Sequence, residues 1–260
     1  KGTWFVNHFE NKNVLVLHNT DDGRKVSVDV VFPAVHGTYC EDGTLQGLLE
    51  LAMVPYVGAD SVGSSVGIDK DITKRLLRDI GIPVVPWKTI FREEWDRDPA
   101  SLMRSIREEI PLPLFVKPAR TGSSVGVKKV KSSEDLADAI AFAFLYDTRL
   151  LIEKGINARE IECAVLGNND PQASILGEVK TRHEFYSYES KYIDPDGAEL
   201  IIPAVIDEKT ASSIRRAAVE GYRVLCCGGM ARVDFFLDRD SGAYYLNEIN
   251  TLPGFTSISM

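Results

Sequence analysis

Cysteine is scarce in this chain, and the few cysteines present exclude two common uses of the residue. The 260 residues include only four, at positions 40, 163, 226 and 227. They form no CxxC pair and no spacing with histidine that would hold a structural metal. Cys226 and Cys227 are neighbours, too close for an ordinary disulfide. The sequence therefore indicates reduced thiols, and we expect a cytoplasmic protein.

The sequence also lacks an excess of positive charge, long apolar runs and internal repeats. Lys and Arg number 30 against 38 Asp and Glu, which gives a net charge of −8. A general nucleic-acid-binding protein needs a basic face, although a small basic pocket for one nucleotide is compatible with this balance. Apolar runs such as 28–35 are far shorter than a bilayer span, and no signal peptide is visible. We expect no nucleic-acid partner and no membrane association.

Hydrophobic periodicity predicts a mixed α/β and α+β architecture. Strands at 14–18 and 26–35 and a helix opened by Asp42 follow the strand–loop–helix order of an α/β layer. A helix is expected at 69–80, where Gly81 would end it. From residue 114 short β-runs dominate, which is typical of antiparallel pairing. Further elements are predicted at 84–90, 98–110, 114–117, 127–130, 132–146, 150–154, 160–166, 174–179, 207–226, 230–238 and 243–250.

The last two predicted strands form a hairpin with four polar residues on one face. If its turn is centred on Ser241, Asp234 lies opposite Glu248 and Arg232 lies opposite Asn250. All four side chains then point to the same side of the ribbon. Opposed carboxylates repel each other, whereas a hard cation such as Mg²⁺ between them would bind both.

Two interpretations of this hairpin are open. The simpler one is a solvated face of mixed charges, because a register slip of one residue would scatter the group. The loop 251–257, which follows directly and is rich in Thr, Gly and Ser, favours the other, since such a loop can bind anions. The metal site is the interpretation that we adopt.

A second motif combines a lysine with a flexible loop. A predicted strand delivers Lys117, and the loop 120–126 has the composition to wrap phosphate oxygens with backbone N–H groups. The order GxxxxGK[ST] of a Walker A loop is absent, and a plain β-hairpin explains the pattern equally well. Glu153 and Glu160 near a strand end suit either nucleotide contacts or ordinary surface charges. His36, between a strand and a helix, is either structural or a carboxylate ligand.

Taken in order, these segments resemble the D-alanine–D-alanine ligase family of the ATP-grasp superfamily. The resemblance covers essentially the whole chain. Its motifs are HGTYCEDGTLQG, DKDITKRLLRDIGIPV, FVKPARTGSSVGV, LIEKGINAREIECAVLG, HEFYSYESKY, ARVDFFLD and NEINTLPGFTS. Cys40 departs from the family pattern, which usually has glycine there.

The resemblance implies an ATP-grasp fold of three domains, with ATP between two α+β domains. Residues 1–68 would be the remainder of an N-terminal α/β substrate domain, 69–155 the central ATP-grasp domain and 156–260 the C-terminal one, with a lid loop at 180–197. The family also has a glutamate in a glycine-rich N-terminal loop and a helix after the position of Met260. We therefore expect the sequence to be a segment of a longer protein.

The resemblance further implies roles for individual residues. The expected ATP contacts are Lys70, Lys117, Glu153, Lys154, Ile156, Glu160 and Lys191. The expected ligands of two Mg²⁺ ions, replaceable by Mn²⁺, are Asp234, Glu248 and Asn250. The expected catalytic groups are Arg232 and the backbone of Gly254, which would stabilise a tetrahedral intermediate, and Ser123 and Tyr192, two members of a hydrogen-bonded trio. His36 and Ser259 would bind the carboxylate of the second amino acid.

The activity that follows is ligation of two D-alanine molecules through an acylphosphate, for peptidoglycan precursors, by a homodimer acting on ATP and D-alanine. Nothing in the residues themselves indicates D-stereochemistry, which is implied by the resemblance alone. Two alternatives are a D-alanine–D-lactate or D-alanine–D-serine ligase on the same fold and a non-catalytic nucleotide-binding module. Tyr192, at the family's selectivity position, favours dipeptide formation.

Overall fold

Three antiparallel sheets, each with its own helices, make up the described part of the protein. The structure, a computed structural model, describes residues 4–7, 15–181 and 198–255. Antiparallel pairing with helices on the sheets confirms the predicted α+β character. None of the helices in these ranges has the length and apolar character that a membrane crossing requires.

The N-terminal sheet has strand order β1-β2-β3 and is followed by two helices. Its elements are β1 (Trp4–Asn7), β2 (Leu15–Asn19), β3 (Lys25–Val28), α1 (Thr44–Leu51) and α2 (Ser61–Ile68). The strand predicted over 26–35 is wrong beyond Val28. Pro33 has no N–H to donate to a ladder, and Val31 forms only an isolated bridge with Tyr56.

Helix α2 was not predicted, because glycine, serine and valine are weak helix formers. It begins where the Asp60 side chain accepts a hydrogen bond from the Gly63 N–H at 2.8 Å. A side chain on Gly63 would come within 2.4 Å of the Cys226 carbonyl oxygen. Close packing rather than intrinsic propensity therefore explains this helix.

The central sheet has strand order β4-β7-β5-β6. Its elements are β4 (Trp87–Phe91), α4 (Arg92–Arg97), α5 (Pro99–Glu109), β5 (Leu114–Pro118), β6 (Lys128–Val130), α6 (Leu136–Ala143) and β7 (Arg149–Lys154). Helix α5 has Pro99 in its first turn, and the Asp98 side chain accepts from the Ser101 N–H at 3.0 Å. Both features are typical of a helix start.

The C-terminal sheet has strand order β10-β9-β8-β11-β12. Its elements are β8 (Ala158–Leu166), β9 (Gln172–Thr181), β10 (Ala198–Ile201), α7 (Glu208–Val224), β11 (Met230–Asp238) and β12 (Tyr244–Asn250). Helix α7 covers this sheet with Ile214, Ala218 and Tyr222, all fully buried.

Helix α3 (Lys70–Asp79) links the two larger sheets. Asp69 caps it by accepting from the Ile72 N–H at 3.1 Å, as expected for a helix start. Leu77 packs into the core of the C-terminal sheet, together with Ile82. The Lys70 N–H meanwhile donates to the Ala119 carbonyl at the end of β5. The domain boundaries at 68/69 and 155/156 stay a prediction.

Candidate active site

A cavity of about 260 Å³ lies where the central sheet, the C-terminal sheet and the N-terminal segment meet. Ten residues predicted as functional line it. These are His36, Lys70, Lys117, Ser123, Glu160, Arg232, Asp234, Glu248, Asn250 and Gly254. Because these residues are far apart in sequence and were predicted for different roles, their meeting in one cavity indicates a site.

The hairpin of β11 and β12 forms one wall of the cavity. Asp234 pairs with Glu248 and Arg232 pairs with Asn250, which confirms the predicted register at these positions. Closer to the turn, however, Phe235 pairs with Leu246, so the turn is not centred on Ser241 as the prediction assumed. A β-bulge restores the predicted pairing.

Asn247 is the extra residue of this bulge, since Glu248 and Leu246 pair with consecutive residues of β11. The bulge therefore decides which side chains of β12 face the cavity. Without it, the pairing would stay one residue out of register and Asp234 would oppose Asn247 instead of a second carboxylate.

Arg232 is the centre of a charged network on this wall. Its guanidinium donates to both oxygens of Asp234 at 2.7 Å and lies 3.1 Å from Glu162 Oε2. The Asn250 amide also donates to Asp234, at 2.9 Å. Burial alone would lower the pKa of Arg232, but the charges of Asp234 and Glu162 outweigh burial and raise it. The guanidinium therefore stays positive at any working pH.

The predicted magnesium ligands fit a hard cation by their chemistry. Asp234 and Glu248 supply carboxylate oxygens and Asn250 an amide oxygen, all on the same face of the ribbon. Within the described ranges, no group of three or more carboxylate, imidazole or thiolate side chains is arranged to hold a metal. Two carboxylates and an amide are compatible with that finding, because Mg²⁺ shares its coordination with water and substrate phosphates.

Two lysines reach the cavity from other elements. Lys70, in the first turn of α3, donates from Nζ to the carbonyl of Thr121. Lys117, on β5, forms an ion pair with Glu153. Burial lowers the pKa of Lys70, while the nearby charge of Glu248 acts against that shift. The lysines thus line the same cavity as the acidic hairpin.

The loop between β5 and β6 has an unusual backbone. Ser123 and Ser124 have φ values of 52° and 59°, and Gly126 has a φ of 75°. A side chain on Gly126 would come within 2.7 Å of Pro118 Cγ and Tyr146 Cδ2. The loop therefore needs glycine at 126 for both conformation and space. The predicted return of the chain as a strand is confirmed by the pairing of β5 with β6.

The N-terminal segment contributes His36 and Glu41. The Nδ1 atom of His36 lies 3.1 Å from the carbonyl oxygen of Leu252, which ties the segment to the loop after β12. Glu41 accepts a hydrogen bond from the Gly37 N–H at 2.5 Å. Cys40 is not among the described residues with positive φ, so its side chain causes no backbone strain.

Three of the predicted residues that the structure describes do not line the cavity. Glu153 lies behind Lys117 and is 2% exposed, while Lys154 is exposed at the end of β7 and Ile156 is half-buried in the following loop. Lys191, Tyr192 and Ser259 lie outside the described residues, as does most of the predicted lid at 180–197.

Two acidic residues of the cavity were not predicted. Glu162 follows Glu160 by two positions on β8, and both face the cavity. The period of two along a strand could have identified it. Glu41 lies in a loop without periodicity, and its proximity to the site arises only from tertiary structure. Burial raises the pKa of Glu41 above the ordinary carboxyl value.

Comparison with protein families gives two matches that together cover most of the chain. The model of the D-ala D-ala ligase C-terminus matches residues 76–260. The model of the D-ala D-ala ligase N-terminus matches residues 7–59. The C-terminal match includes both larger sheets and the hairpin of the candidate site.

Individual relatives agree with the family models. D-alanine–D-alanine ligase A of Bradyrhizobium diazoefficiens is 49% identical over 253 residues, covering 96% of this chain and 68% of the relative. D-alanine–D-alanine ligase A of Escherichia coli K12 is 52% identical over 234 residues, covering 90% of this chain and 63% of the relative. The chain thus spans about two thirds of the length of these relatives.

A solved structure shares the whole described architecture. The VanG D-Ala:D-Ser ligase of Enterococcus faecalis matches with a TM-score of 0.85 and 37% identity, covering 100% of this chain and 73% of that one. The agreement in fold extends the family match from sequence to three dimensions.

Proposed function

Since the chain belongs to the D-alanine–D-alanine ligase family, we propose that it joins two D-alanine molecules at the expense of ATP. The product, D-alanyl-D-alanine, would enter peptidoglycan synthesis. One observation supports the proposal most directly. A single cavity contains two lysines for phosphates, an acidic hairpin for metal ions and a half-buried arginine for an oxyanion.

The first step transfers the terminal phosphoryl group of ATP to the carboxylate of one D-alanine. The bond from the bridging oxygen to the terminal phosphorus breaks, a carboxylate oxygen bonds to that phosphorus, and ADP leaves. Positioning and charge stabilisation dominate such transfers. Lys70 and Lys117, which line the cavity, would hold phosphate oxygens, and Glu160 on β8 would accept from the ribose hydroxyls. Lys191 is the proposed ligand of the transferred group.

Two Mg²⁺ ions are part of this proposal. Asp234, Glu248 and Asn250 would hold them, and the ions would neutralise phosphate charge. Lys117 on β5 and Lys70 on α3 would also neutralise phosphate charge. Positive charge would therefore surround the transferred phosphoryl group.

The second step joins the two amino acids. The uncharged amine of the second D-alanine attacks the acylphosphate carbon, and the resulting oxyanion is stabilised by the Arg232 guanidinium and the Gly254 N–H. Collapse breaks the bond from carbon to the phosphate oxygen, the attacking nitrogen gives up its extra proton to the departing phosphate, and phosphate and dipeptide are released. His36 and Ser259 would hold the carboxylate of the second substrate, and Ser123 with Tyr192 would complete the polar surroundings.

The alternative substrates are not favoured. Relatives that are about 50% identical are named D-alanine–D-alanine ligases. A non-catalytic nucleotide-binding module would have no need for the paired carboxylates or Arg232.

The decisive test measures phosphate release from ATP by the full-length protein with D-alanine alone, or with D-serine or D-lactate added. Mass spectrometry identifies the product. We expect phosphate release and D-alanyl-D-alanine with D-alanine alone. A mixed product formed in preference to the dipeptide would contradict the proposed specificity, and ATP binding without phosphate release would indicate the non-catalytic module.

Two further properties belong to the same proposal. We propose a homodimer located in the cytoplasm, and a domain division at residues 68/69 and 155/156. Sedimentation of the full-length protein tests the dimer. A monomer at micromolar concentration would contradict it.

A further inference from the structure

Lys74 is a buried charged residue that the proposed function does not use. It lies in α3 and is 1% exposed. Its ammonium is 2.8 Å from Glu153 Oε2, 3.4 Å from the Val85 carbonyl oxygen and 5.7 Å from the centre of the Trp87 ring. Lys74 does not line the cavity, so it does not contact a ligand bound there.

Glu153 connects Lys74 to the cavity. Its carboxylate is 2% exposed, and its two oxygens form ion pairs with two different lysines. Oε1 pairs with Lys117, and Oε2 pairs with Lys74. Burial would raise the pKa of Glu153, but the charges of Lys117 and Lys74 outweigh burial and lower it to about 2. The carboxylate is therefore ionised and lies between two lysine side chains.

Lys117 alone of the three lines the cavity. In the structure it is engaged with Glu153, whereas its proposed role requires contact with a phosphate of ATP. If Lys117 were the sole counter-ion of Glu153, moving it would leave a buried carboxylate without a partner, which is unfavourable. Lys74 removes this conflict because it stays paired with Glu153.

We propose that Lys74 is a positioning residue for ATP binding: it retains the Glu153 carboxylate so that Lys117 can be shared with a phosphate. This inference rests on the proposed function. The inference predicts that Lys74 affects binding of the ATP phosphates but does not affect binding of the nucleoside.

The test compares ATP with adenosine. Dissociation constants are measured by calorimetry on the full-length protein with Mg²⁺, for wild type, Lys74→Met, Glu153→Gln and the double variant. Methionine has a similar length without the charge. In Lys74→Met we expect ATP affinity to fall about tenfold, or about 1.4 kcal/mol. Adenosine affinity should change less than about twofold, since nucleoside binding does not involve Lys117.

The double variant shows whether Lys74 acts through Glu153. With glutamine at 153 there is no charge to retain, so adding Lys74→Met should leave the ATP affinity of Glu153→Gln unchanged. This comparison remains valid if Lys74→Met alone fails to fold. A further loss of ATP affinity in the double variant would overturn the inference, as would equal losses for ATP and adenosine or an unchanged ATP affinity in a folded Lys74→Met protein.

The same experiment separates the two proposals. Absence of ATP binding in the wild type would contradict the proposed function and the inference with it. Normal ATP binding in the wild type, unaltered by Lys74→Met, would contradict the inference alone.

Discussion

Neutralising either carboxylate of the β11–β12 hairpin should abolish most activity, but the two changes should differ in their effect on stability. Asp234→Asn and Glu248→Gln each remove one proposed metal ligand. We expect turnover to fall at least about 100-fold, because even indirect partners of metal sites commonly contribute 10–100-fold. The variants should also need more magnesium.

The difference in stability follows from Arg232. Asp234 binds this guanidinium with two hydrogen bonds of 2.7 Å, and both side chains are mostly buried, at 14% and 19% exposed. Removing one partner of a buried ion pair costs about 3–5 kcal/mol. Asparagine retains one acceptor oxygen and Glu162 remains 3.1 Å away, so we expect a loss of about 1–2 kcal/mol for Asp234→Asn.

Glu248→Gln should cost less. Its charge also acts on Arg232 and Lys70, but the change removes repulsion with Asp234, its direct cross-strand neighbour. We expect a change within about 1 kcal/mol. Urea denaturation measures the free energy of unfolding, and magnesium titrations of phosphate release measure the metal requirement. An unchanged magnesium dependence in either variant would refute the metal assignment. A larger loss of stability in Glu248→Gln would refute the argument from Arg232.

Three further predictions test the structure itself. Gly126→Ala should lose at least about 2 kcal/mol more unfolding free energy in urea than Gly23→Ala. Their φ values are 75° and 73°, but only position 126 has side-chain carbons within 2.7 Å of the added Cβ. Iodoacetamide should modify exposed Cys226 in the native protein and leave buried Cys163, whose thiol pKa burial raises to about 11, until urea is added. The pKa of Glu153 is lowered to about 2, so its ionised carboxylate stabilises the fold above the ordinary carboxyl pKa, and this stabilisation is lost as the pH falls. Glu153→Gln has no such carboxylate, and its unfolding free energy should therefore decrease less than that of wild type when the pH is lowered from about 5 to about 2.

Some of the fold could be predicted because the local signals and the tertiary structure agree. Helix α3 has a capping aspartate, Asp69, a buried Leu77 at helical spacing and Gly81 just beyond its end. Each of these features acts within a few residues, so a single sequence shows them all. Strand β11, predicted at 230–238, was confirmed at both ends because alternating residues are buried along its full length.

Other elements depend on partners that are distant in sequence. Helix α2 packs closely against the Cys226 backbone at Gly63, and the segment after Val28 leaves its sheet to contact the chain near Tyr56. Glu41 shows the same limitation at the site. It lies 207 positions before Glu248 in sequence, yet both line one cavity. Only the packing of the N-terminal segment onto the loop after β12 brings it there.

The hairpin shows how a correct site prediction can rest on an incorrect local assumption. Pairing counted from Ser241 gives Asp234 opposite Glu248, but the actual turn places Leu237 opposite Tyr244, which is one residue away from that count. The bulge at Asn247 compensates, and the two carboxylates meet. The alternation of polar and apolar residues explains this outcome, because Leu246 and Ile249 are both buried although three positions separate them. An uninterrupted strand would place these two side chains on opposite faces. Burial of both requires one extra residue between them, and that residue also brings Glu248 and Asn250 to the face that lines the cavity.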